Sequence, residues 1–183
     1  EGARRRLDAV GVVVVGFLAA FGGGTLRDLL LDQRPFFWVR HVELLWGVLA
    51  LCVLAMLFLR ARHFDLTERS MQWPDALGLG LFTATGAHHA LVLGLPGIVA
   101  VLMGLITGVA GGVLRDVVCN QIPSAFSDHR PYAVCAFVGG WVYVLLWWVA
   151  APGWLALVAC VGVTAGLRGL ALWRNWQLPA WRL

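Results

Sequence analysis

Arg27 and Asp28 follow three consecutive glycines, Gly22, Gly23 and Gly24, and Arg115 and Asp116 stand at the same spacing behind Gly111 and Gly112. Both clusters sit inside stretches that otherwise read as membrane-buried helix. Each glycine in a helix costs about 1 kcal/mol relative to alanine, so a run of them is a natural place for a bend or break. A break frees backbone carbonyls, and in hydrocarbon such groups are tolerated only where they line water or are buried in protein. A half-helix C-terminus carries roughly −0.5 charge, which suits cation coordination. The spacing therefore predicts an ion path formed by Gly22, Gly23, Gly24, Gly111 and Gly112, with Thr25 and Thr107 beside it as hydroxyl ligands. Close packing of helices through small residues is the alternative reading.

The charges need partners at this depth, since an unpaired one costs about 2.5–3.5 kcal/mol or more. Residues adjacent on a helix project about 100° apart. The expected pairing is therefore reciprocal, Arg27 with Asp116 and Arg115 with Asp28, with snorkelling of the arginines towards the interface as the alternative. Under either arrangement the arginines limit cation entry and shape gating. Thr85, His88 and His89 share a helix face, which makes His88 a further pore candidate, and a histidine bonded to a neighbouring carbonyl is the other possibility. Adjacent histidines are poorly placed to chelate one metal. No HExxH or GxSxG occurs, so the residues point to no metal site, no catalytic group and no enzyme.

The elements that carry these residues are set by composition. The 183 residues are 60% hydrophobic and 13% charged with a mean hydropathy of +0.79, far from the balance of soluble domains at about 45–50% apolar and 25% charged. Six apolar segments follow, at 8–31, 42–59, 75–93, 97–118, 132–150 and 154–172, each near the ~20 residues that span a bilayer core. The polar stretch 60–74 reads as the only long loop. Most of the ten tryptophans lie near segment ends, as interfacial rings do. All fourteen basic residues are arginines scattered through short loops, which argues against nucleic acid as a partner. Those at 4–6, 60, 62, 69, 130, 174 and 182 fall on one side, and Arg34 and Arg40 on the other; the positive-inside bias then places both ends of this chain in the cytoplasm. Cys52, Cys119, Cys135 and Cys160 show no CxxC spacing and read as packing residues. Gly162 and Gly166 form a GxxxG pair suited to packing against the bundle or a neighbouring protomer.

The two clusters are copies. "GGTLRDLLLDQRP" at 23–35 and "GGVLRDVVCNQIP" at 111–123 share seven of thirteen positions at an offset of 88, and His41 with His129 keeps the register. Three crossings separate them, so the copies run in opposite directions and form an inverted repeat. The expected architecture is an all-α polytopic bundle of inverted three-helix repeats plus a final helix. Residues 1–69 form the first repeat, 70–151 the second, and 152–183 the last helix and tail. The second glycine helix is preceded by a helix that the first lacks, so six spans are expected here and seven in a full protein.

"AFGGGTLRDLLL" with its echo "AGGVLRDVV" resembles the prokaryotic branch of the TRIC (trimeric intracellular cation channel) family. The resemblance implies a seven-helix protomer in a bacterial or archaeal inner membrane, assembled as a homotrimer with one pore per protomer. It implies passage of potassium or sodium ions between the two glycine helices, no cofactor, and membrane lipid as a neighbour or bound molecule. Some bacterial relatives are instead associated with glycine transport. Inverted repeats of this kind serve channel and carrier alike.

Overall fold

The computed structural model describes residues 8–58, 67–127 and 131–177, the side chains of 67–71 and 127 excepted. Six long helices and two short ones make up this part: α1 (Ala9–Leu30), α2 (Phe37–Arg40), α3 (Val42–Phe58), α4 (Thr67–Val92), α5 (Gly97–Val118), α6 (Ser124–Ser127), α7 (Ala133–Trp148) and α8 (Gly153–Trp173). The all-α multi-pass bundle is the one that hydropathy predicts. By length and composition α1, α5 and α8 are long and apolar enough to cross a membrane, and α3 and α7 are shorter apolar helices of 17 and 16 residues. The arginines at 4–6, 60, 62, 130 and 182, and His129, lie outside the described residues.

Helix ends are written in local chemistry. Asp8 caps α1, its carboxylate accepting from Gly11 N at 2.7 Å. At the C-terminal ends of α1 and α5 the chain turns through left-handed residues, Asp32 (φ 49°) and Asn120 (φ 52°), which are 88 positions apart. Gln33 N then donates to Asp28 O at 2.8 Å and Gln121 N to Asp116 O at 2.9 Å, the paired bonds of a Schellman cap. Asp and Asn are the side chains that best tolerate this backbone after glycine.

Two expectations about the elements are corrected. Residues 67–74 are not loop: α4 begins at Thr67 and continues through Pro74, which a long helix accommodates when neighbouring groups satisfy the freed carbonyl. The glycine runs do not break their helices. α1 and α5 continue through Gly22–Gly24 and Gly111–Gly112, and none of these glycines has a positive φ. The helix hydrogen bonds outweigh a propensity penalty of about 1 kcal/mol per glycine. What the glycines supply is proximity.

The core lies among α4, α5, α7 and α8, filled by small residues such as Ala84, Ala87, Ala90, Ala100, Ala156 and Cys160 around Val101, Tyr143 and Val144. α5 packs on α1, α4 and α7, whereas α3 leans on α1 and α2. A methyl group on Gly23 would land on the backbone oxygen of Thr107, and one on Gly111 would come within 2.6 Å of Ala19 O. Gly23 corresponds to Gly111, and Ala19 to Thr107, at the repeat offset of 88. The partner in α1 steps back from 23 to 19 as α5 advances from 107 to 111, so the helices cross antiparallel. The two contacts exchange under a two-fold axis, as an inverted repeat requires.

Gly162 and Gly166 face away from the bundle, with nothing within 4 Å of a methyl placed on either. Of the two packing partners expected for this pair, the chain's own bundle is therefore not one.

Candidate ion pathway between the repeats

Beside the crossing of α1 and α5 lies an open cavity of about 570 Å³. Gly23, Gly24 and Arg27 line it from α1, Thr107, Gly111, Gly112 and Arg115 from α5, and Thr85 and His89 from α4. Phe37 and Ser124, the first residues of α2 and α6, close two of its corners, and Asp75, Tyr132 and Arg168 also face it. Gly22, Thr25, Asp28, His88 and Asp116 do not line it. Thr25 instead donates to Phe21 O at 2.8 Å and accepts from Trp38 Nε1 at 3.1 Å, which fixes the indole against α1. Gly22 packs on Leu114 and Gly111.

His88 turns the other way. Its ring stacks edge-on against Trp147 at 5.5 Å, and Nδ1 lies 3.0 Å from Tyr143 Oη on α7. Thr85 and His89 are one turn apart and share the cavity face, while His88 is rotated 100° from His89 and meets α7. A Tyr143→Phe substitution therefore removes only a packing hydrogen bond. The expected loss is about 1 kcal/mol of stability, measured by thermal unfolding in detergent, with solute passage unchanged.

The charge pairs form within each helix, not across the two-fold. Arg27 folds back so that Nε (2.8 Å) and Nη2 (2.6 Å) both reach Asp28 Oδ1, with both side chains buried. Arg115 reaches Asp116 Oδ1 in the same way at 2.8 Å, its side chain 30% exposed. The guanidinium stem is long enough to span the 100° that separates adjacent helix positions. The reciprocal pairing expected from helix geometry fails because each aspartate has a second obligation. Asp28 Oδ2 accepts from Phe37 N at 2.7 Å and Asp116 Oδ2 from Ser124 N at 2.9 Å and Ser124 Oγ at 3.1 Å. Each carboxylate thus satisfies an orphan N–H at the start of a short helix, and its arginine neutralises it. The duplicated Arg-Asp pair is the clasp that folds α2 and α6 back over their long helices.

The copies differ at one corner. Phe37 packs under Gly24, its ring 5.4 Å from the Arg27 guanidinium carbon. The corresponding residue of the second repeat is Ala125, and a methyl on Gly112 would have only Arg115 Nη2 near it, at 4.0 Å. The α5 corner therefore lacks the aromatic ring that packs under Gly24 in the α1 corner. Among the described residues no group of three His, Cys, Asp or Glu could hold a metal.

This geometry can be set beside known proteins. The glycine transporter family profile matches residues 1–60 and 72–148, three quarters of the chain. The chain belongs to this family, which is the TRIC family. A UPF0126 membrane protein of Vibrio cholerae is 36% identical over 75% of the chain, a match spanning 56% of that relative's length. A UPF0126 membrane protein of Deinococcus radiodurans is 34% identical over the whole chain and 84% of its own length. The UPF0126 inner membrane protein YadS of Escherichia coli is 33% identical over 97% of this chain and 86% of its own. Solved TRIC structures have the same fold. A TRIC cation channel studied for its conductance superposes with a TM-score of 0.88 at 30% identity, covering 100% of this chain and 88% of that one. The TRIC trimeric intracellular cation channel orthologue of Rhodobacter sphaeroides gives 0.85 at 32% identity, covering 95% and 88%.

Proposed function

We propose that this TRIC-family chain conducts monovalent cations, chiefly potassium, through the cavity between α1 and α5, with one such path in each protomer of a homotrimer. The observation that carries the reading is the open cavity at the two-fold crossing, lined by the glycine faces of both repeats. The 0.83–0.88 similarity to TRIC cation channels supports it. Two of the cavity's three arginines are neutralised by their Arg-Asp clasps, and the third, Arg168, shares the cavity with the carboxylate of Asp75, so the path is not an anion trap. The outward Gly162 and Gly166 offer a small-residue surface for a neighbouring protomer. Both ends of this chain then lie in the cytoplasm of a bacterial or archaeal plasma membrane, as the arginine bias implies, and lipid fills the remaining apolar surface.

A glycine carrier is the second reading, favoured by the name of the matching family. Single-channel recording in planar bilayers, beside radiolabelled glycine uptake into liposomes, separates the two. The channel reading predicts discrete conductance steps whose reversal follows the potassium gradient. Saturable glycine uptake without steps would replace it with the carrier.

A further inference from the structure

The polar groups of the cavity include Asp75, Tyr132, Ser124 and His41 as well as two sets of contrasting chemistry. Arg27, Arg115 and Arg168 present guanidinium donors. Thr85, His89 and Thr107 each direct a donor hydrogen at the chain's own backbone. Thr85 Oγ1 donates to Leu81 O at 2.6 Å and Thr107 Oγ1 to Met103 O at 2.6 Å. His89 Nδ1 lies 2.9 Å from Thr85 O. A carbonyl only accepts, so Nδ1 carries the hydrogen, and Nε2 is the ring nitrogen left for another partner. What these three side chains have left to offer is lone pairs.

They are also neighbours. Thr85 and His89 are one turn apart on α4, and the Thr107 hydroxyl packs against Gly86, the residue after Thr85, where α5 meets α4. All three line the same cavity. We propose that Thr85, His89 and Thr107 form a coordination subsite at which a monovalent cation exchanges part of its water for two hydroxyl oxygens and an imidazole nitrogen. The inference rests on the cation-conducting reading and deepens it by naming where the ion sheds water. A wall of acceptors whose donors are spent locally stabilises a cation and offers an anion nothing. The subsite also sets the ion's route, on the α4–α5 side of the cavity and away from Arg27.

Thallium(I), a potassium-sized anomalous scatterer, tests the subsite on crystals of the full chain. The expected result is an anomalous peak within coordinating distance of Thr85 Oγ1, Thr107 Oγ1 and His89. The peak disappears in the shape-conserving double variant Thr85→Val/Thr107→Val and weakens in His89→Leu, whose position is half-buried. In bilayers, Thr107→Val lowers potassium conductance roughly tenfold, the scale of one lost interaction with a charged group. A wild-type map without thallium at these atoms overturns the subsite, as does a double variant that conducts like wild type. Wild-type protein that passes no cation current overturns the conducting reading instead, and the thallium map still decides the subsite. If the double variant fails to elute as the wild-type assembly, the His89→Leu map and conductance decide in its place.

Discussion

Replacing Gly111 with alanine lowers stability by about 1–3 kcal/mol, the range for overpacking a close-packed contact, whereas Gly112→Ala leaves it unchanged or raises it by up to about 1 kcal/mol. The two residues are adjacent on one helix, so propensity favours alanine equally at both. Surroundings decide the sign. At 111 the new methyl comes within 2.6 Å of Ala19 O and 3.3 Å of Leu18 O, backbone atoms that can yield only if α1 moves as a whole. At 112 the nearest atom is Arg115 Nη2 at 4.0 Å, the far end of a flexible side chain. Gly23→Ala behaves like Gly111→Ala, because its methyl falls on the Thr107 oxygen in the two-fold-related contact. Thermal unfolding in detergent measures the energies. Conductance should fall with Gly23→Ala and Gly111→Ala, since parting the helices reshapes the cavity that both line. Equal effects at 111 and 112 would mean that the crossing is not the close contact described.

The second large effect is expected at Asp28. Asp28→Ala strands the Arg27 guanidinium, whose side chain is 3% exposed, and removes the acceptor for Phe37 N. Removing one partner of a buried ion pair costs about 3–5 kcal/mol, and the bare N–H adds to it. Asp116→Ala should cost less, about 1–3 kcal/mol, because Arg115 is 30% exposed and can turn to water. The double variant Arg27→Met/Asp28→Asn should recover much of the loss, since it discharges the pair while keeping an acceptor for Phe37 N. Denaturant or thermal unfolding of the three variants provides the ranking. Cation current should fall in Asp28→Ala beyond what unfolding explains, because an uncompensated positive charge then faces the path. An Asp28→Ala protein as stable as Asp116→Ala would contradict the clasp.

Much of this was legible in the residues, and what was not has definite causes. Span positions follow from apolar runs, and the boundaries of α1, α3, α5, α7 and α8 fall within a few residues of those runs. The offset of 88 between Gly23 and Gly111 carries the two-fold, which the exchange of partners with Thr107 and Ala19 embodies. The four-residue helices α2 and α6 are too short to leave a periodic signal. With them went the role of Asp28 and Asp116, whose N–H partners lie nine and eight residues downstream across a proline turn. A Pro seven residues after each aspartate, at Pro35 and Pro123, was the available clue to a chain that doubles back. The glycines announce themselves in the sequence, but a helix break and a close crossing use the same residue, and only the packing separates them. His88 and His89 likewise differ only in which neighbour each meets.

The central claim is that water reaches the faces of α4 and α5 beside the crossing, on one continuous path. A water-soluble, positively charged thiol reagent tests it on single cysteines in a background where Cys52, Cys119, Cys135 and Cys160 are replaced by alanine. Cysteine in place of Thr85 or Gly112, both on the cavity wall, should be modified rapidly and the current blocked. Cysteine in place of Val158, 56% exposed on the outer face of α8, should remain unmodified in the bilayer. Residues 85 and 112 as inert as 158, with current untouched, would contradict the account.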